Sequence, residues 1–266
     1  MKIATWNING YRSVTGQNTN AKRSPAKENF LFDFISQFSP DIVCLQETKA
    51  KQEQIVDELQ FPIGYNGTYH SAERKGYSGV ATFSKSAISI EHKNDFGIEE
   101  FDAEGRVIIS ELSDFILLNV YFPNGQRDEE RLQYKLRFYE KLFLFIEELR
   151  KSHPHILICG DFNTAHKPID LAHPKQNENR SGFLPVERDL LDKIIDMGYV
   201  DVFREFDLGP DRYTWWSNIT KARERNIGWR IDYFFGTKEV LPRVKNCWIE
   251  PNVFGSDHCP VFIELD

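Results

Sequence analysis

Five apolar stretches of this chain end on an amide, a carboxylate, a phenol or an imidazole, and those tips are the groups able to do chemistry. They are Trp6-Asn7 with Asn9, Cys44-Leu45-Gln46-Glu47, Asn119-Val120-Tyr121, Cys159-Gly160-Asp161-Phe162-Asn163 and Gly255-Ser256-Asp257-His258. Any one of them reads as a turn, because Asp and Asn close strands by bonding their own backbone. Together, on strands of packed sheets that share an edge, they read as a single cleft, the usual place for a site on a rigid scaffold. Glu47, Asp161, Asn9 and Asp257 supply hard oxygen atoms, which suit Mg2+ or Mn2+. The seven histidines show no HExxH or other zinc spacing, which disfavours zinc. Without a Walker A loop or a GxGxxG turn, nucleotide-driven transfer and dinucleotide chemistry have no support. Carboxylates, an imidazole, a phenol and amides around a divalent cation fit attack of water on a phosphodiester.

The elements that position these tips are short and recur along the chain. Strands are predicted at Lys2–Asn7, Asp41–Gln46, Gly79–Ser84, Arg106–Leu112, Phe115–Tyr121, Ile156–Cys159, Tyr213–Ser217, Ile231–Thr237 and Cys259–Leu265, bounded by Gly, Pro, Asn or Asp. Ser24-Pro25 can open a helix whose apolar face carries Phe30, Leu31, Phe34, Ile35 and Phe38, stopped by Pro40. A longer helix runs from about Asp128 to Lys151, with a stripe of Leu132, Leu136, Tyr139, Leu142, Ile146 and Leu149 between acids at its start and bases at its end. A third covers roughly Pro185–Met197 and stops at Gly198. The halves echo each other loosely, since Ile3–Asn7 and Ile156–Asp161 both end an apolar strand on a polar residue. With no linker or low-complexity tract, residues 1–266 read as one α/β domain of two packed sheets covered outside by helices.

Composition narrows the class. Hydrophobic residues at 41% and aromatic residues at 14% support a large packed core, and most of the Phe and Tyr belong to it. No apolar run approaches the ~20 residues of a membrane span, and the start reads as a strand, not a signal peptide. The four cysteines lack metal-ligand spacing and three lie in apolar runs, so buried free thiols and a reducing cytoplasm are expected. A net charge of −7 argues on its face against a nucleic-acid binder. Carboxylates gathered for a metal contribute to that figure, however, and the ion reverses their local field.

At the same residues the chain resembles the exonuclease III/AP endonuclease family, within the endonuclease–exonuclease–phosphatase superfamily. The matching stretches run nearly its whole length: Trp6–Arg12, Leu45–Lys49, Arg74–Val80, Glu104–Val107, Tyr121–Gly125, Gly160–His166, Asn226–Tyr233 and Gly255–Pro260. Trp229-Arg230-Ile231-Asp232-Tyr233 and Lys75-Gly76-Tyr77-Ser78-Gly79 are the stretches more particular to DNA-repair members. The resemblance implies a four-layered α/β sandwich with two mixed sheets flanked by helices. It also implies incision of double-stranded DNA 5′ to an abasic site, leaving a 3′-hydroxyl, with some 3′-5′ exonuclease or 3′-end-cleaning activity.

Carried over residue by residue, Glu47 binds the metal with Asn9 beside it, and Asp161, Asn163, Asp257 and His258 complete the metal-side set. Asp161 orients or deprotonates the attacking water, and Asn163 and Tyr121 contact the scissile phosphate. His258 stabilises charge on the phosphorane, best as a cation held by Asp232. Asp257 serves the metal or the leaving oxygen, and Asn7 supports the metal-side network next to the substrate. Other members can carry Asp where this chain has Asn9, so one formal ligand charge is missing here.

An abasic nucleotide flips out with little loss of stacking, and the family resemblance implies a small apolar pocket walled by Trp215, Trp229 and Ile231 that would admit its bare sugar. Backbone contacts are expected from Arg12, Lys49, Tyr77, Arg106, Asn124, Arg127 and Asn177, which fix register without reading sequence. The polar loop Gly16–Lys27, with Lys22, Arg23 and Lys27, is either a further DNA contact or simply an insertion. Rival readings are the same chemistry on a phosphoinositide or sphingomyelin, and a DNA-binding relative without catalysis. The first is opposed by the Trp-Arg-Ile-Asp-Tyr stretch and the lack of a membrane-binding segment, the second by the complete catalytic set. The expected protein is a cytoplasmic monomer.

Overall fold

The computed structural model describes residues 1–17 and 28–266. Short runs of β-branched and aromatic residues form strands, numbered here in chain order: β1 (Lys2–Asn7), β2 (Ile42–Gln46), β3 (Tyr65–His70), β4 (Val80–Lys85), β5 (Glu91–Lys93), β6 (Val107–Glu111), β7 (Ile116–Tyr121), β8 (Ile156–Asp161), β9 (Tyr199–Asp201), β10 (Trp215–Trp216), β11 (Gly228–Trp229), β12 (Asp232–Thr237), β13 (Val244–Ile249) and β14 (Val261–Leu265). They assemble into two six-stranded sheets, ordered β13-β14-β1-β2-β4-β3 and β5-β6-β7-β8-β12-β9, with β10 and β11 as a separate hairpin pair. β1 lies parallel to β2 and β7 parallel to β8, while the other pairings are antiparallel, so both sheets are mixed.

Between the sheets lies a core built from both, with Ile3, Cys44, Leu117, Leu157, Phe234 and Ile263 among its members. The outer face of the first sheet is covered by α1 (Phe30–Phe38) through Leu31, Phe34 and Ile35. The outer face of the second is covered by α2 (Glu129–Arg150) and α3 (Pro185–Asp196) through Phe138, Leu142, Ile146, Leu191 and Ile194. The result is helix, sheet, sheet, helix, the four-layered sandwich expected. All four cysteines are buried and free, and no helix among the described residues is long and apolar enough to cross a membrane.

Three expectations need correction. The first concerns α1, which starts at Phe30 with the Asn29 side chain accepting from Phe32 N; Glu28 and Asn29 are not helical, and Ser24-Pro25 falls outside the described residues. The second is the buried stripe of α2, which is Tyr134, Lys135, Phe138, Tyr139, Leu142, Phe143 and Ile146. Leu132, Leu136 and Leu149 are only partly covered, because the second sheet calls for a wider aromatic face. The third is that β3, β5, β9, β11 and β13 were not expected as strands. Four of these are the outermost strands of the two sheets, where one side meets solvent and polar residues such as Asn66, Lys93 and Lys245 dilute the apolar signal.

Candidate active site

The polar tips meet because of how the strands register. Asn7 at the end of β1 pairs with Gln46 at the end of β2. In the facing sheet Asp161 ends β8 between Tyr121 of β7 and Asp232 of β12. Behind them Gln46 Nε2 donates to Asn119 Oδ1 at 2.7 Å, a buried link across the sheets. Asn119 is thus an interior brace and not a cleft residue. Asn9, Glu47, Lys49 and Asn163 all hold left-handed φ values of 48°, 54°, 50° and 51°. Such turns are costly for Glu and Lys and gather at sites.

At the centre, Asn7 Nδ2 donates to both Glu47 Oε1 and Asp161 Oδ2 at 2.8 Å. Asp161 also accepts from the backbone N of Asn163 at 2.8 Å. Ligand atoms of Glu47, Asp161 and His258 lie within 4.8 Å of one another. His258 Nδ1 is 2.9 Å from Asp232 Oδ2, which also accepts from Thr214 Oγ1 at 2.5 Å. The other imidazole nitrogen, Nε2, stands 3.9 Å from Asp161 Oδ2. Asp257 accepts from Asn9 Nδ2 at 2.8 Å and from Trp215 Nε1 at 3.1 Å. On the far wall Asn163 Oδ1 accepts from Asn124 Nδ2 at 3.0 Å.

Charge is crowded here, and protonation responds. Burial pushes the Asp161 carboxyl up, the carboxylates of Asp232 and Glu47 add to the rise, and the nearby imidazole only partly offsets them, leaving it at about 7. Burial works against an imidazolium at His258, yet Asp232, with Asp161 and Asp257 beyond it, carries its pKa up to about 10. Tyr121 is driven well above the ordinary phenol value by burial and by Glu47, so it keeps its proton. Glu47 stays below its ordinary value despite burial, chiefly because of the Lys49 ammonium. The oxygen-rich donor set and that ammonium, 2.6 Å from Glu47 and 2.5 Å from Asn9 Oδ1, show that the cluster draws cations. These residues fit a divalent ion.

The cleft has a volume of about 230 Å³ and is lined by Asn9, Glu47, Tyr121, Asn124, Asp161, Asn163, Trp215, Trp229, Ile231, Asp257 and His258, together with Gln126 and Arg180–Gly182. One side is an apolar box of Ala165, Leu171, Phe183, Trp229 and Ile231 with Trp215 against it. The Trp215 and Trp229 rings stand edge to face, 6.3 Å apart. Trp216 faces away, in a separate cluster with Tyr213 and Cys259. Larger clefts open elsewhere, two of about 720 Å³ and one of about 460 Å³, but none of these includes a residue of the metal-fitting group.

Among the residues expected to meet DNA, Asn124 and Arg127 are exposed, while Arg12, Lys49, Tyr77 and Asn177 are partly covered. Arg106 is a correction. It is only 2% exposed, because its guanidinium is consumed by Glu104 at 2.6 Å, Tyr121 O at 2.8 Å and Tyr77 OH at 3.3 Å. It stacks 4.7 Å over the Tyr121 ring, and so steadies two tyrosines instead of facing a phosphate. Asn7 supports the metal-side network as expected, through Glu47 and Asp161; fully buried and outside the cleft lining, it is not placed to touch substrate. Asn177 bonds Ala172 O and His173 O within its own turn. Lys22, Arg23 and Lys27 of the Gly16–Lys27 loop lie outside the described residues.

Sequence reasoning missed the supports. Lys135, fully buried on α2, donates to Glu187 at 2.6 Å and to Asn163 O at 2.8 Å. Glu187 in turn accepts from Ser181 Oγ and Gly182 N, so one ion pair ties two walls of the cleft. Arg180, exposed at the rim, was missed as well. Arg230 lies between two pocket residues in sequence but turns away, bonding Asp170 at 2.8 Å and Asp201 through both terminal nitrogens at 3.1 and 2.6 Å. The buried lysine inside an amphipathic helix was the available signal, since such a residue needs an acid partner.

Comparison with known proteins agrees with this geometry. The model of the Endonuclease/Exonuclease/phosphatase family matches residues 4–258. An exodeoxyribonuclease of Bacillus subtilis is 40% identical over 264 residues, covering 98% of each chain. The DNA repair nuclease APEX1 of Danio rerio is 36% identical over 271 residues, covering all of this chain and 82% of that one. The solved AP endonuclease of Leishmania major superposes with a TM-score of 0.85 at 30% identity, covering 98% of this chain and 86% of its own.

Proposed function

This chain belongs to the endonuclease/exonuclease/phosphatase family, in its exonuclease III/AP endonuclease branch, as a hydrolytic DNA-repair nuclease, and on that premise we propose that it incises double-stranded DNA 5′ to abasic sites and leaves a 3′-hydroxyl. Side activity at 3′ ends follows from the same chemistry. The observation that carries this reading is adjacency: the Glu47–Asp161–His258 group and the Trp215–Trp229–Ile231 wall line one small cleft. A base-free sugar would rest on the Trp215–Trp229–Ile231 wall, with its phosphate turned toward the charged side.

Glu47 would hold Mg2+ or Mn2+, with Asp161 and His258 nearest and Asn9, Asn163 and Asp257 around them. The ion supplies Lewis-acid stabilisation of phosphate charge when bound. Asp161, held by Asn7 Nδ2 and the backbone N of Asn163, orients or deprotonates the attacking water. Asn163 and the protonated phenol of Tyr121 hold the scissile phosphate by hydrogen bonds. His258, kept cationic by Asp232, faces the oxygens on which negative charge develops. Asp257 fixes Asn9 and Trp215 through its two oxygens, linking the metal side to the sugar pocket. Asn124 and Arg127, on the exposed rim, and Lys49, Tyr77 and Arg12 nearby meet the DNA backbone.

The test is a labelled duplex panel carrying an abasic analogue, deoxyuridine, a 3′-phosphate or no lesion, with Mg2+, Mn2+ or EDTA. Cleavage of the abasic strand 5′ to the lesion with either metal, lost in EDTA, is the expected result. No incision of any duplex with either metal refutes the proposal.

A further inference from the structure

The place where the cleft draws a metal is already touched by a cation of the protein itself. Lys49 Nζ lies 2.6 Å from Glu47 Oε2 and 2.5 Å from Asn9 Oδ1. The other Glu47 oxygen accepts from Asn7, so with the ammonium in place each oxygen of this half-hidden carboxylate has a donor. Glu47 and Lys49 cancel as a pair, and Asn9 adds no charge of its own. An acid at that position would leave negative charge uncompensated.

We propose that Lys49 is a built-in competitor for the divalent cation, neutralising Glu47 in the metal-free enzyme and withdrawing when the ion binds. The inference rests on the reading of Glu47 as a metal ligand. An ammonium and a divalent ion that both contact Glu47 repel each other at such short range even where water screens them, so the two states exclude each other. The anatomy of the loop suits such an exchange. Its backbone is held fast, with Lys49 N donating to Ser78 O at 2.8 Å and Thr48 N to Gly79 O at 3.0 Å. The Lys49 side chain is 34% exposed against 16% for Glu47, and its flexible four-carbon stem lets the head move outward while the anchor stays. Occupancy by Lys49 stabilises the empty site, which would otherwise bury an unpaired carboxylate. The consequence is a metal affinity lower than the bare ligand set would give.

Binding of Mn2+ alone, followed by electron paramagnetic resonance of the free ion without DNA, tests this in the wild type, Lys49→Met, Lys49→Gln and Glu47→Gln. The Lys49 variants should bind Mn2+ about tenfold tighter or more than the wild type, by loss of the competing charge, and Glu47→Gln should bind far more weakly. If Glu47→Gln loses the ion but both Lys49 variants bind it no tighter than the wild type, Glu47 remains the ligand and the competitor role of Lys49 is overturned. If Glu47→Gln binds as tightly as the wild type, the metal-ligand reading falls and the inference falls with it.

Discussion

Two clusters of buried acids sit side by side in this molecule, reached from neighbouring positions of one short segment. Arg230 points into the first, with Asp170, Asp201 and Arg204; Asp232 points into the second, with Asp161, Glu47, Asp257, His258 and Lys49. In the first, two carboxylates meet two guanidinium groups. Burial alone would push the Asp170 carboxyl up, but Arg230 and Arg204 outweigh it and hold the group at about 2. In the second, four carboxylates face one imidazole and one ammonium, and Asp161 is left at about 7. The same side chain in equally dry surroundings moves in opposite directions according to the balance of charge around it. A balanced cluster is structure, and an unbalanced one is held ready for a substrate and an ion.

Breaking the balanced cluster should cost the most. Arg230→Met leaves Asp201 as a buried, unpaired charge and Asp170 with Arg204 alone, and should destabilise folding by about 3–5 kcal/mol, read by urea denaturation; a loss within error would deny the cluster its structural role. On the other side, Asp232→Asn removes the partner of His258. Turnover should fall by about a hundredfold to a thousandfold with the denaturation midpoint nearly kept, because an amide oxygen in place of Oδ2 still accepts from Thr214 and His258, and Asp232 Oδ1 has no hydrogen-bond partner among the described residues. Unchanged single-turnover rates would separate Asp232 from the chemistry.

Acid should sharpen the contrast. Because Asp170 is depressed from 3.8 to about 2, its contribution is complete above pH 3.8 and is lost as pH falls toward 2. That contribution is about 2 kcal/mol by linkage, and it should be missing from the acid limb of an Asp170→Asn unfolding profile. An identical acid limb in the variant would contradict the assignment. The smallest effect is expected at the pocket wall: Trp229→Ala should reduce the preference for abasic over intact DNA by about tenfold, as loss of one apolar wall does. Selectivity equal to the wild type would remove Trp229 from lesion recognition.

How much of this could be read in advance depends on what each residue faces. Interior strands such as β1, β7 and β8 are mostly apolar, so their ends, and with them Asn7, Tyr121 and Asp161, were legible within a residue or two. Edge strands such as β3, with its Asn66-Gly67 pair, carry no clear strand signal because half of each meets water. Glu47, Asp161 and His258 were visible as strand tips, and the structure brings their ligand atoms together. Lys135, Glu187, Asp170 and Asp201 could not be found that way. Their meaning lies in partners distant along the chain, such as Lys135 with Glu187, 52 residues apart. Arg106 shows the reverse error: a basic residue in a family motif suggests a phosphate contact, but only packing reveals that its charge is already consumed.

The most direct measurement sets two like substitutions side by side, Asp161→Asn and Asp170→Asn, scoring each for thermal midpoint, duplex binding and single-turnover incision. Asp161→Asn relieves crowded like charge, so it should keep or raise the midpoint and bind abasic duplex, yet incise nothing. Asp170→Asn should lower the midpoint by about 5–10 °C while each folded molecule incises at the wild-type rate. An Asp161→Asn enzyme that still turns over, or an Asp170→Asn enzyme that stays as stable as the wild type but cannot incise, would contradict the division between a balanced scaffold and an unbalanced site.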